Sequence, residues 1–192
     1  VAIAEQHAVA SMAAMAKEGF KPFIAIYSTF MQRAYDQVIH DCCIMNLNVA
    51  FAMDRAGIVG EDGETHQGAF DVSFLNAVPN ISLFAPRCED SLRRVMEYAY
   101  RHVGPCAFRY PRGSFLLPSD EFGSRELSLG KGEILYEGCA ETTFIGYGNA
   151  VGKANAVRKK MFEKTDGKFN PTLADLVFVK PLDRELLSKL AC

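Results

Sequence analysis

The stretch PFIAIYSTFMQRAYDQ (Pro22–Gln37) joins two different periodicities. Its first six residues, PFIAIY, form a short continuous apolar run opened by Pro, the pattern of a strand buried on both faces. Thr29 and Gln32 then stand at capping-box spacing, so a helix is expected to begin just past the strand. Three further runs repeat the strand pattern: NVAFAM (Asn48–Met53), ISLFA (Ile81–Ala85) and CAFRY (Cys106–Tyr110). Helix-like stretches at Ala8–Glu18, Phe30–Asn46 and Ser91–His102 alternate with them. Continuous apolar strands separated by helices predict an α/β fold with a parallel sheet covered by helices on both faces. In such sheets the binding and catalytic groups gather beyond the carboxyl ends of the strands.

Beyond Gly113 the pattern breaks. Residues 1–117 are expected to form one domain, 118–130 a Gly/Pro/Ser-containing linker, and 131–192 a second, partial α/β domain. The second unit contains GEILYEG, TTFIGYG, a helical stretch from about Ala150 to Lys164, and ADLVFVKPLD. GYGNAVGKA (Gly146–Ala154) follows a strand and opens a helix, but its G-x-G-x-x-x-G spacing is one residue too long for a dinucleotide fingerprint. Ala154 stands where a P-loop needs Ser or Thr, so a tight strand-to-helix turn is expected. The chain opens without Met, in what reads as the end of a strand, and Cys192 falls inside an apparent helix; a fragment of a longer polypeptide is expected.

Composition excludes several classes. In 192 residues, 49% are hydrophobic and 23% charged, with a formal net charge of -2. That balance gives no bulk electrostatic attraction to nucleic acid or to an anionic membrane. No apolar run reaches the roughly 18 residues that span a bilayer. With no signal-peptide pattern either, a cytoplasmic location is expected. The six cysteines contain no CxxC pair and read as reduced, mostly buried thiols.

Several polar groups fall at predicted strand ends. Glu5 lies in the otherwise apolar VAIAEQHAVA, where it could cap a helix or stand as a proton-exchanging carboxyl in an apolar site. Phe30 and Arg33, three apart on one helix face just after Tyr27, read either as a platform for a flat heterocycle or as a core ring beside a solvated cation. The loop DRAGIVGEDGETHQG (Asp54–Gly68) carries Arg55, Asp62 and His66. Arg would hold phosphate or carboxylate and His would move protons near neutral pH; a solvated surface loop is the other reading. Arg112, in FRYPRG, sits in a turn and suits an anion better than Arg109; a structural role for either arginine is the other reading. A parallel sheet would bring all of these to one rim.

The segments VAIAEQHAV, IAIYSTFMQRAYDQVIHD, DRAGIVGEDGETHQGAFD and RYPRG, in this order, resemble the 1-deoxy-D-xylulose-5-phosphate synthase family, thiamin-diphosphate enzymes of the transketolase superfamily. TTFIGYGNAV and FVKPLD extend the likeness more weakly. The resemblance implies a transketolase pyrimidine-binding domain followed by the start of a transketolase C-terminal domain. It implies that Glu5 bonds an aminopyrimidine nitrogen and promotes the imino tautomer that deprotonates the thiazolium. Phe30 would stack on the pyrimidine with Arg33 beside it. Tyr27, Arg55, Asp62, His66 and Arg112 would line the substrate channel. Arg55 and Arg112 would hold the phosphate of D-glyceraldehyde 3-phosphate, while His66 and Asp62 would orient the pyruvate-derived group. Glu5 and His66 are thus the implied catalytic residues. The product would feed isoprenoid precursor, thiamin and pyridoxal synthesis, in a homodimer, with no nucleic-acid or membrane partner. The family's Gly-Asp-Gly…Asn segment, which binds magnesium and the diphosphate, has no counterpart here, so no metal ligand is expected in this chain. By itself the chain is expected to be inactive. A transketolase or a 2-oxo-acid dehydrogenase β subunit would share Glu5 and the fold; THQG and YSTFMQRAYDQ favour the synthase. A non-catalytic dimerisation or binding module is the other alternative, opposed by Glu5, Arg55 and His66.

Overall fold

The computed structural model describes residues 3–123 and 125–191; the strand end read at the first two residues, and Cys192, lie outside them. The chain divides into two compact units, one of Val1–Phe84 and Val95–Gly113, the other of Ala85–Arg94 and Ser114–Cys192.

In the first unit, α1 (Glu5–Lys17) leads to β1 (Phe23–Tyr27). β2 (Ala50–Asp54), β3 (Ser82–Phe84) and β4 (Cys106–Arg109) lie in the same sheet. All pairings are parallel, and the order is β1-β2-β4-β3. Phe51, Met53, Leu83, Phe84 and Phe108 are buried along these strands, as continuous apolar runs require. Register places Tyr27 opposite Asp54 and Met53 opposite Arg109, so these strand ends share one rim. Backbone bonds from Ser28 to Asp54 (2.9 Å) and from Ala56 to Tyr110 (3.0 Å) extend the ladder past the strands. The strand just past which the site was expected therefore ends where the sequence placed it.

The helix expected over Phe30–Asn46 differs. A 3₁₀ turn (Thr29–Ala34), a single α-turn, α2 (Tyr35–Gln37), and a π turn (Val38–Cys43) follow one another. The capping box is not made. Ser28, in helical conformation, stands at the cap, and the Gln32 amide donates to the Thr29 carbonyl (2.9 Å) instead of accepting from a backbone N–H. Tight 3₁₀ turns use i→i+3 bonds and run only briefly, so the backbone relaxes into wider turns downstream. A short helix, α3 (Asp71–Ala77), was not foreseen; α4 (Glu89–Arg101) was.

The second unit holds β5 (Glu133–Tyr136), β6 (Thr143–Gly146), α5 (Asn149–Lys164), β7 (Thr172–Asp175), β8 (Phe178–Lys180) and α6 (Arg184–Ala191). Its three-stranded sheet, β5-β7-β6, is mixed: β5 runs antiparallel to β7, and β6 parallel. ADLVFVKPLD is two strands, broken at Val177, whose φ of 56° is left-handed. A β-branched residue pays steric strain there, so the break could not be read from the sequence. GYGNAVGKA is a tight turn: Gly148 has φ 56°, and Asn149 Oδ1 accepts from the Leu116 backbone N–H (2.8 Å). Cys88, Leu117, Val151 and Leu173 form the core.

A buried cation organises this unit. Arg87 bonds Asp175 (2.9 Å), Glu133 and the Gly123 carbonyl (2.8 Å). Burial pushes the Asp175 carboxyl up from 3.8 to about 6, against the pull of Arg87. Because folding raises this carboxyl, the folded chain holds its proton more tightly than the unfolded one. Asp175's contribution to stability therefore falls as pH rises from about 4 to about 6. Relative to Asp175→Asn, the unsubstituted protein is expected to lose stability over that window and keep a constant difference above it. Urea midpoints at a series of pH values check this; a pH-independent difference would contradict it.

Candidate active site

Glu5 is the first residue of α1, so its charge does face the positive helix end, but it forms no cap bond. Its Oε1 accepts from Arg33 Nη1 at 3.0 Å. Its Oε2 is buried and has no partner. The Arg33 guanidinium lies over the Phe30 ring, 4.7 Å from its centroid. Phe30 is only half-buried and stacks on Tyr27, with centroids 5.5 Å apart and planes 14° apart. The His66 imidazole meets Phe30 edge-on at 5.1 Å and Tyr27 at 6.3 Å. Glu5, Met12, Tyr27, Phe30, Arg33 and His66 line one open cleft of about 1110 Å³. Phe30 is thus not a core ring, and Arg33 is at once paired with Glu5 and about half exposed (48%).

The remaining predicted residues stand next to the cleft's lining. Arg55, at the end of β2, adopts φ 53° and lays its guanidinium 3.9 Å from the Tyr27 ring centroid. It bonds Asp54 (2.6 Å) and Asp62 (2.7 Å). Arg112 Nε reaches the other oxygen of Asp62 at 3.1 Å. Asp62 thus bridges the two arginines. All eight predicted site residues form one unbroken chain of contacts, from Glu5 through Arg33, Phe30, His66, Tyr27, Arg55 and Asp62 to Arg112. Burial raises the Asp54 carboxyl even though Arg55 opposes it.

The loop is closed at its base by paired backbone bonds between Gly57 and Gly68 (2.8 and 2.9 Å). A Cβ on Gly68 would fall 2.3 Å from the Arg55 carbonyl oxygen and 2.6 Å from Ser28 Oγ. Gly68→Ala is therefore expected to cost about 1–3 kcal/mol by overpacking, read as a lower urea midpoint. An unchanged midpoint would mean the loop moves aside freely. Arg109, read from sequence as the poorer anion ligand, is paired with buried Asp71 through two bonds (2.8 and 3.1 Å). Sequence reasoning missed Thr65, whose hydroxyl meets His66 Nδ1 at 3.0 Å, and Gln67, which bonds within the loop. Both sit inside a polar run with no periodicity to single them out. Among the described residues, no three His, Cys, Asp or Glu side chains are grouped to hold a metal. Nor is any described helix long and apolar enough to cross a membrane.

The family model for the transketolase pyrimidine binding domain matches residues 1–116. The chain belongs to this family. The pyrimidine-binding match spans every predicted site residue, from Glu5 to Arg112. Among curated proteins, a 1-deoxy-D-xylulose-5-phosphate synthase of Campylobacter fetus subsp. fetus is 65% identical over 191 residues, covering 100% of this chain and 31% of that protein. A synthase of the same name from a Nitratiruptor species is 59% identical over 191 residues, with 100% and 31% covered. The chain thus spans about 31% of the length of these relatives. Among solved structures, a split-gene transketolase described as an inactive β4 tetramer superposes with a TM-score of 0.84 at 26% identity, covering 97% of this chain and 59% of that one. Pichia stipitis transketolase, with a TM-score of 0.78 at 20% identity over 92% of this chain and 26% of that one, shows the shared fold.

Proposed function

We propose that this chain is the pyrimidine-binding part of a 1-deoxy-D-xylulose-5-phosphate synthase, joining pyruvate to D-glyceraldehyde 3-phosphate with loss of carbon dioxide. One observation carries the reading: the buried, unpartnered Oε2 of Glu5 at a cleft floored by Phe30. A buried carboxylate oxygen without a hydrogen bond is costly, and a ring nitrogen carrying a proton would satisfy it. The residues therefore fit the aminopyrimidine of thiamin diphosphate. When bound, that cofactor supplies the electron sink for decarboxylating a 2-oxo acid.

The chain's own residues would do the rest. Arg33 occupies Oε1, which leaves Oε2 as the oxygen that holds a proton at the ring nitrogen. Phe30 would lie against the ring, and His66, which meets Phe30 edge-on, would exchange protons with the donor. Arg55 and Arg112 would take the acceptor's phosphate, a dianion suited to two guanidiniums. Asp62 would orient both and help to place the intermediate. Magnesium and the diphosphate would be held by residues outside these 192, so the chain alone is expected to be silent. Residues from about 131 would begin a transketolase-type C-terminal domain, joined through 118–130, and the active assembly would be a homodimer. The 59–65% identity to synthases, against 20–26% to transketolases, favours the synthase over its alternatives.

Calorimetry with thiamin diphosphate on the protein and on Glu5→Ala tests the cofactor. Turnover of the full-length enzyme with pyruvate and glyceraldehyde phosphate, against a ketose donor, tests the substrates. Preference for the ketose, or product from the 192 residues alone, would overturn the reading.

A further inference from the structure

The loop from Asp54 to Gly68 carries three of the proposed substrate ligands, yet its only regular element is a single 3₁₀ turn at Glu64–His66. Arg55 reaches across it to Asp62 at 2.7 Å, and a second side chain ties its other limb. Gln67 Oε1 accepts from the Val59 backbone N–H at 2.8 Å, and Gln67 Nε2 donates to the Gly63 carbonyl at 2.9 Å. Val59 lies on the outgoing limb and Gly63 at the tip, between Asp62 and the 3₁₀ turn. The Gly63 carbonyl also accepts from the His66 backbone N–H at 3.3 Å. A primary amide is the one neutral group of this length that accepts on one side and donates on the other.

We propose that Gln67 is the positioning residue of this loop, fixing Asp62 and His66 through its paired bonds to Val59 and Gly63. The proposal rests on the reading of Arg55 and Arg112 as an anion site only for its consequence in binding. Gln67 touches none of the reacting groups. It directly follows the imidazole that meets Phe30, and its Nε2 bonds the residue next to Asp62, which bridges the two arginines. Without it, the limb between Gly57 and Gly68 keeps its closed base but loses its internal brace. Asp62 would then be placed only by its own bonds to Arg55 and Arg112, on a loop free to shift.

Two substitutions separate the bonds. Gln67→Met removes both at nearly constant length. Gln67→Glu keeps an acceptor for Val59 but sets a carboxylate against the Gly63 carbonyl. Hydrogen exchange of the whole 192-residue chain reads the brace directly. In Gln67→Met, Val59 is expected to exchange roughly tenfold faster, the scale of one lost hydrogen bond, with β4 amides unchanged. Gln67→Glu should leave Val59 nearer the original rate while altering the His66 ring signals. Titration with inorganic phosphate reads the consequence: Gln67→Met should bind roughly tenfold more weakly. An unchanged Val59 rate would overturn the proposal, as would acceleration shared equally by β4, which would mark simple destabilisation. Equal phosphate affinity in both proteins would also overturn it. If the unsubstituted chain binds no phosphate, the anion reading of Arg55 and Arg112 fails, and the Val59 rate alone decides Gln67.

Discussion

Replacing Glu5 by Gln in the full-length enzyme is expected to lower turnover by a factor of about 10² to 10⁴, the usual contribution of a placed acid–base group. The substitution is nearly isosteric, so the cleft and the α1 start are kept. What changes is the charge that pairs with Arg33 at 3.0 Å and the proton chemistry of the buried Oε2. An amide in the same place can present its NH₂ to a ring nitrogen, but it cannot take up and return a proton in the working range. Affinity for thiamin diphosphate should therefore fall much less than turnover, because the stacking face of Phe30 and the rest of the cleft are untouched. A loss confined to KM would say that Glu5 only helps binding. Arg33→Met gives the complementary test. It frees Oε1 and removes the cation over Phe30, so turnover should drop by less than for Glu5→Gln. A larger drop would move the chemistry from the carboxyl to the guanidinium.

Glu5 also shows where sequence reading stops. That a carboxylate stood in an apolar stretch was visible in VAIAEQHAVA. That Arg33 holds one of its oxygens and leaves the other buried was not, because the two residues lie far apart in sequence and meet only through the fold. The four strands of the first unit were legible because parallel strands are apolar along their whole length, as in NVAFAM and CAFRY. The segment after β1 was legible as helical but not as a 3₁₀–α–π series, since side-chain spacing does not record which carbonyl each N–H chooses. α3 went unseen for a different reason. Its first residue, Asp71, reads as a surface charge, and DVSFLNA is too short to show a period. The rim was predicted as a gathering of strand ends, and the observed register of Tyr27 against Asp54 makes it one. The bridging of Arg55 and Arg112 by Asp62 needed the loop's folded shape.

Asp71→Asn is expected to destabilise the first unit by about 3–5 kcal/mol, the cost of breaking a buried ion pair from one side. Asp71 is 1% exposed, and both of its oxygens are engaged by Arg109, at 2.8 and 3.1 Å. Oδ1 accepts as well from the Val72 backbone N–H at 2.8 Å. The amide keeps the volume but cannot accept from both guanidinium nitrogens, and it leaves a cation in a largely water-free place. The effect should reach the site. Arg109 closes β4, and its guanidinium also lies 3.5 Å from the Gly68 carbonyl, at the base of the loop that holds Asp62 and His66. Asp71→Asn should thus lower the urea midpoint of the first unit and raise amide exchange at Gly68 together. Exchanging both partners for apolar residues of similar size should cost less than either single change, since the buried carboxylate and its cation then leave together. A midpoint shifted by only a few tenths of a kcal/mol in Asp71→Asn would mean that water reaches Arg109 in solution. The pair would then be orienting the loop without holding the sheet.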